Sequence, residues 1–366
     1  MKCTFPHMGN IYIPIKALLQ ELGYEVIVPP PCTEETLNIG VALAPETACL
    51  PLKVPVGNFI EAQRLGAEVA IMAGGVGPCR FGFYGQVQRE ILRDLNIDLD
   101  VIILEPPQGD WNRFWRQVQL VRRDQPWSAV ARALRISWHK FQALDVLETA
   151  ARQARPVAAN PRQVDAALSR ALQRLDQAQT VAKVKEAVAL GVDRITGLKV
   201  PGRKPRLRIA LVGEIYTLLE PFVNLDVEKL LGRHRVLVEK KVQIGDWVKH
   251  HLLLAPLQPR QQNQMARIAK GYLSGPVGGH GLESVAHALE FARQGVDGIL
   301  HLLPFTCMPE IVAQSALAQV SKDLGLPIMT LVLDEQTGEA GFHTRIEAFL
   351  DLLSRRQQGE PGVAAR

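Results

Sequence analysis

The 366-residue chain contains no hydrophobic run near the roughly 20 residues a membrane-spanning helix needs. Its longest apolar stretches are "RIALVG" and "DGILHLLPF", and the opening "MKCTFPHMGN" lacks the apolar core of a signal peptide. The expectation is a cytoplasmic protein that does not use a membrane. Cysteine is scarce: five residues, an odd number, widely and irregularly spaced and without a C-x2-C pair. That spacing argues against a disulfide framework and a short-spaced zinc site, and it leaves reduced thiols. There is no P-loop, no G-x-G-x-x-G fingerprint, no RNA-recognition motif and no zinc finger. Nucleic acid is therefore set aside as a partner, and any ATP chemistry has to come from another protein.

What is present fits two α/β domains. Hydrophobic residues make up 47% of the chain, enough for two cores, and the length exceeds what one ordinary core holds. In the first part, helical patterns alternate with short β-branched runs: "IYIPIKALLQELG" then "YEVIVPP", "GNFIEAQRLG" then "AEVAIMAGG", and "FGFYGQVQREILRDLNI" then "DLDVIILEPP". Alternation of this kind implies a parallel sheet covered on both faces. A second series runs from "LRIALVGEIY" through "RHRVLVEKKV", "LESVAHALEFARQG", "VDGILHLLP", "PEIVAQSALAQVSKDLG" and "LPIMTLVLDE" to a closing helix near "HTRIEAFLDLLSRR". Expected boundaries are a first α/β domain at 1–107, a helical basic insertion and linker at 108–200, a second α/β domain at 206–356 and a disordered tail at 357–366. The fold class is two doubly wound parallel-sheet domains facing each other, with ligands at the carboxyl ends of the strands.

The formal net charge of +5 is unevenly spread. Between Trp111 and Arg208, arginine and lysine outnumber aspartate and glutamate, as in "WRQVQLVRR" and "PGRKPRLR". Such a segment is either a solvated helix face or a surface for an acidic partner or a phosphate-bearing ligand such as CoA.

Three of the cysteines share one kind of place. Cys79 follows a strand and a Gly-rich loop and precedes a helix; Cys307 has the same order in the second series; Cys49 precedes a helix with prolines on each side that suggest extended backbone. Strand-to-helix junctions face the ligand cleft and the helix N-terminal dipole, which favours thiolate. Cys3, in the first strand, and Cys32, after three prolines, are less persuasive. Three thiolates distant in sequence suit an iron–sulfur cluster, whose inorganic core supplies the geometry. They are equally well read as unligated cleft thiols.

The segments "FPHMGN", "CLPLKVPVGN", "GVGPCRFGFYGQVQREIL", "GEIY", "GGHGLES", "PFTCMPEIVAQS" and "LDEQTGEAGFHTRIEAF" resemble the CoA-protein-activase-related branch of the 2-hydroxyacyl-CoA dehydratase component superfamily. The resemblance covers nearly the whole chain and is weakest in the basic insertion. It implies flavodoxin-like domains holding a 4Fe-4S cluster with three cysteine ligands, Cys49, Cys79 and Cys307, and one open iron. It implies further an ATP-dependent activator that donates a low-potential electron, an acyl-CoA substrate, and a related second subunit or a homodimer. Five cysteines are too few for the six-cysteine double cubane of another branch.

Around those thiols, Lys53 and Arg80 are candidates to tune a cofactor by charge, and Gly278, Gly279 and Gly281 in "GGHGLES" offer unblocked backbone N–H groups. Glu46, Glu310 and His280 are candidate acid–base groups or iron ligands, Glu310 being also a favourable first-turn acid on its helix. Glu214 is a further candidate behind them. Asp334 and Glu335 are expected to form a turn and helix cap. The functional expectation is an iron–sulfur redox protein passing an electron to a bound substrate. Its alternatives are a non-catalytic electron-relay or assembly subunit, and an α/β binding protein whose thiols have no cofactor.

Overall fold

A computed structural model describes residues 1–75, 79–105, 110–241 and 258–358, with side chains in the last segment from residue 262. The chain forms two units, one containing Met1–Ala150 and Ala166–Gly197, the other Ala151–Asp165, Leu198–Val242 and the chain from Pro256 onward. Each is α/β, and each is built on its own four-stranded parallel sheet.

In the first unit β1 (Lys2–Thr4), β2 (Glu25–Val26), β3 (Val69–Ala73) and β4 (Asp100–Leu104) lie in the order β2-β1-β3-β4. Cys3 pairs with Val26 on one side and Val69 on the other. Alternate residues of one strand feed opposite cores. Val69 and Ile71 pack with Phe5, Leu19 and Tyr24, whereas Ala70 and Met72 pack with Val56, Phe59 and Leu92. A sheet covered on both faces has to be apolar at successive positions, which is why these strands read as continuous hydrophobic runs. The helices are α1 (Tyr12–Glu21), α2 (Glu34–Leu43), α3 (Leu50–Arg64), α4 (Phe81–Asp94) and α5 (Trp111–Arg122).

Two features of this unit depart from the sequence expectation. Helix α2 was not foreseen, yet Thr33 caps it in a reciprocal capping box with Thr36, and Glu34 and Glu35 occupy its first turn. Helix α3 starts directly after Cys49 rather than at Gly57: Pro51 sits in its first turn, where a missing N–H costs nothing, and Pro55 lies inside it. The prolines therefore belong to the helix and do not hold the backbone extended. Helices α2 and α3 approach closely because glycines face backbone carbonyls. A Cβ on Gly40 would stand 1.8 Å from Lys53 O, and one on Gly57 would stand 2.0 Å from Thr36 O.

The basic segment folds as α6 (Trp127–Ala154), α7 (Pro161–Gln177) and α8 (Val181–Thr196). In the second unit β5 (Leu207–Gly213), β6 (Val236–Lys240), β7 (Gly298–Pro304) and β8 (Ile328–Leu333) repeat the first topology in the order β6-β5-β7-β8. Its helices are α9 (Ile215–Leu219), α10 (Val227–Arg233), α11 (Gln258–Ile268), α12 (Gly281–Arg293), α13 (Met308–Leu324) and α14 (Glu339–Gln357). Central strand β7 is buried along its whole length, and Ile299 joins Ala210 and Val212 in the core beneath α12 and α13. Gly298 leaves room for Phe349 and Leu353 of α14, whose side chains would lie 2.9 Å from an added Cβ.

Asp334 Oδ1 accepts hydrogen bonds from Gln336 N and Thr337 Oγ1 and so closes the turn before α14. Helix α14 continues to Gln357, inside the tail expected to be disordered; residues 359–366 of that tail lie outside the described residues. Among the described residues no helix is long and apolar enough to cross a membrane.

Candidate functional site

In both sheets the chain reverses direction beside the first strand, going from β1 to β2 and then back across to β3, and from β5 to β6 and back to β7. Ligand crevices of open α/β sheets form at such switch points, beyond the carboxyl ends of the strands. Each unit is described in turn from that edge.

In the first unit Cys49 is the residue immediately before α3, and no side chain caps that helix. Its Sγ lies 2.7 Å from the Tyr84 hydroxyl of α4 in a small buried group with Ala48 and Leu52. Burial and the neighbouring thiol push the Tyr84 hydroxyl above its ordinary range. The two cations assigned to a cofactor by sequence bind backbone: Lys53, buried, donates to Glu46 O at 3.1 Å, and Arg80 donates to Thr47 O at 2.9 Å. Together they brace the turn that delivers Cys49. Glu46 itself is exposed. Cys79 is half-buried just before α4, where Gly82 N donates to its carbonyl; the loop at 76–78 lies outside the described residues. Elsewhere on this edge, fully buried Asn58 holds two groups in place. Its Oδ1 accepts from His7 N at 3.1 Å, and its Nδ2 donates to Cys32 Sγ at 3.5 Å.

The expected 4Fe-4S cluster on Cys49, Cys79 and Cys307 is not what the donor chemistry supports. Among the described residues, the set of metal-type side chains close enough to share an ion contains a single cysteine, Cys32. It supplies one thiol, one imidazole and one carboxylate, and its cysteine is one the sequence placed outside the site. A cubane with an open iron needs three thiolates. The residues do not fit the cluster. The iron–sulfur redox function, its electron-relay alternative and the 4Fe-4S cofactor are corrected accordingly.

The second unit gathers ionisable groups at the carboxyl edge of β5 and β7. Thr306, a β-branched residue held at φ 66°, turns the chain out of β7. This is a conformation that costs roughly 1–3 kcal/mol and that clusters at functional positions. It sets Cys307 before α13, with Cys307 N donating to Pro304 O at 2.9 Å, and carries Glu310 into the first turn of that helix. Glu310 is fully buried. One carboxylate oxygen, Oε2, lies 2.9 Å from Nε2 of His301, a residue of β7 that is also fully buried; the other, Oε1, has no hydrogen-bond partner among the described residues. His301 Nδ1 in turn meets Thr330 Oγ1 of β8 at 3.1 Å. The imidazole therefore has one partner on each side, and its orientation is fixed.

Two further carboxyls feel Glu310. Glu283, in the first turn of α12, is pushed up to about 7, chiefly by burial and then by the charge of Glu310. Glu214, after β5, is pushed up to about 6 by burial, against the hydrogen bonds its carboxylate accepts from Tyr216 N, Thr217 N and Thr217 Oγ1. Helices α12 and α13 meet at their starts: a Cβ on Gly281 would stand 2.4 Å from Pro309 O. Gly278 and Gly279 both adopt positive φ and lead to His280, which precedes α12 without capping it by its side chain. The glycines thus serve the close approach of two helix starts, and this approach brings Glu283 and Glu310 together.

No family model matches the chain, and no curated protein is similar to it. The iron–sulfur and CoA assignments implied by the resemblance consequently find no support among relatives.

Of the residues singled out by sequence, the second unit unites Glu310 and Glu214 in one acidic group beside the close helix approach at Gly281, while Lys53, Arg80 and the Glu46 carbonyl form a brace in the first. Sequence reasoning passed over His301, Glu283 and Tyr84. A histidine inside "GILHLLP" was the available signal: an ionisable side chain in a fully buried strand requires a partner, and Glu310 stands nine residues on. Glu283 lay in a motif already quoted, hidden by the ordinary preference for acid in a first helical turn.

Proposed function

We propose that the second unit performs general acid–base chemistry on a small polar molecule held at the carboxyl edge of its sheet. The observation that carries this reading is the buried Glu310 carboxylate, oriented through one oxygen by His301 and, among the described residues, unpartnered at the other. Leaving a buried acceptor unmade costs about 1–3 kcal/mol, and a substrate hydroxyl or amine donating to Oε1 recovers that loss. Glu310 is then the base that takes the proton. Glu283, protonated over much of the range below pH 7, is the acid that returns one. Glu214 takes no proton in this reading, since its own oxygens are occupied by the start of α9. The strand order 2-1-3-4 supports reading each unit as flavodoxin-like, with the helices of 108–200 as an insertion.

Incubation of the full chain with pools of small hydroxylated and aminated molecules, followed by mass spectrometry and proton NMR, tests the reading. The expected result is turnover whose pH profile has a limb near 7. The profile should lose that limb in Glu283→Gln, and turnover should fall on the order of 100-fold or more in Glu310→Gln. Absence of any bound or converted molecule, or full turnover by a folded Glu310→Gln variant, overturns it.

A further inference from the structure

Helix α5 has not one buried residue, although it packs on β4. Its inner side is fixed by Gln117, whose Oε1 accepts from Glu105 N at 3.0 Å, and by Val121, which borders the core around Tyr24. The flank turned away carries Trp111 and Trp115, 57% and 46% exposed, and beside them stands Trp127 at the start of α6, 52% exposed. The rings form an edge-to-face ladder from Trp111 through Phe114 and Trp115 to Trp127, and the Arg122 guanidinium lies 4.7 Å over the Trp127 ring. Between Trp111 and Arg123 the sequence has four arginines and no aspartate or glutamate; Arg113 pairs with Glu105 and Arg123 donates to Gly23 O, while Arg116 is exposed on the helix.

Three large aromatic side chains left in water, two on a helix without an acidic residue and one at the start of the next, are unexplained by the core of this unit. They are also remote in role from the carboxyl group of the second unit, so the proposed acid–base chemistry does not use them. Indoles favour the boundary between an apolar layer and water, because each ring has an apolar body and one N–H that stays solvated. Arginine supplies attraction to anionic headgroups, and a helix bearing both lies in the plane of a lipid surface without spanning it.

We infer that α5 with Trp127 is a docking surface for an anionic membrane, with Trp111, Trp115 and Trp127 entering the headgroup boundary and Arg116 facing lipid phosphates. The attachment is peripheral, in keeping with the lack of a membrane-crossing helix among the described residues.

Flotation of the full chain with vesicles of phosphatidylcholine alone, and of phosphatidylcholine with one quarter phosphatidylglycerol, provides the test, with tryptophan emission as second readout. Expected are binding to the anionic vesicles only, a blue shift of emission, and weakening as salt rises. Trp111→Ser with Trp115→Ser should reduce binding at least roughly tenfold, and Arg116→Glu at least about fivefold. These positions are exposed, so circular dichroism and the denaturation midpoint should stay unchanged. No binding to anionic vesicles at low salt overturns the inference, as does binding that both variants leave intact. Binding to polyglutamate without binding to vesicles also overturns it and assigns the surface to an acidic protein instead.

Discussion

His301 Nε2 and Glu310 Oε2 lie 2.9 Å apart with both side chains fully removed from solvent. Strand β7 provides one partner and the first turn of α13 the other, so the pair ties the strand to the helix that follows it. Removing one member leaves the other buried and uncompensated, whereas replacing both with apolar side chains of similar volume does not. Glu310→Ala is therefore expected to cost about 3 kcal/mol in urea denaturation. The double variant His301→Leu, Glu310→Met should cost clearly less than that single change. A double variant at least as unstable as the sum of the singles would show that the pair is not coupled.

The raised carboxyl of Glu283 makes stability depend on pH in a defined direction. Its folded value of about 7 lies above the ordinary 4.5, so the folded state binds its proton more tightly than the unfolded state. The resulting stabilisation is complete below about pH 4.5 and disappears as pH rises through 7. Buried His287, on the same helix, is lowered to about 4 and works in the opposite direction between about 4 and 6.5. Glu214, raised to about 6, acts with Glu283. The clean measurement is thus the difference between wild type and Glu283→Gln. Wild-type stability relative to the variant should decline by on the order of 2 kcal/mol from pH 4.5 to pH 7.5, allowing for partial exposure of the group. A flat difference over that range sinks the assignment.

Tyr84 satisfies the buried Cys49 thiol at 2.7 Å. Tyr84→Phe removes the hydroxyl and little volume, and it should lower the stability of the first unit by roughly 1 kcal/mol. In a Cys49→Ala background the same change should cost measurably less, since its partner is already gone. Equal costs in both backgrounds would mean the contact contributes nothing.

The α2–α3 contact is the most sterically demanding in the first unit. Gly57→Ala drives a methyl group to within 2.0 Å of Thr36 O, and Gly40→Ala drives one to within 1.8 Å of Lys53 O; backbone atoms are on the receiving side in both cases. Each should destabilise by at least about 2 kcal/mol by forcing the helices apart. Gly341→Ala, in the first turns of α14 with open space around the added Cβ, should instead raise stability by about 0.5 kcal/mol. Thermal denaturation of the three variants distinguishes these directions.

Much of the strand and helix order was legible because burial on both faces of a parallel sheet writes itself as short continuous apolar runs, as in "VAIMA" and "GILHLLP". Strand β2 was legible in type but not in extent: "YEVIVPP" reads as a full strand, yet only Glu25–Val26 pairs, since the prolines that follow supply no N–H to a neighbour. Helix α2 escaped notice although Thr33, Glu34 and Glu35 form a proper start, because the residues it buries are Thr36 and Gly40 and not a periodic apolar stripe.

The site was harder to read for a different reason. Cysteines at strand ends draw attention by their chemistry, and the sequence correctly placed Cys307 at a helix start, whereas at Cys49 it put the helix seven residues too late. It had no means of knowing that the Cys49 sulfur would rest on Tyr84, or that the buried partner of Glu310 would come from within a strand.

Sequence alone determined the α/β class, the repeated strand–helix order, and the positions of the helix starts after Cys79 and Cys307, because these follow from periodicity and local backbone preference. Tertiary structure decided which ionisable groups lose their water and which face each other. Desolvation and charge coupling depend on distances of a few ångströms between residues far apart in the chain, as for Glu214, Glu283 and Glu310. No local pattern encodes such distances.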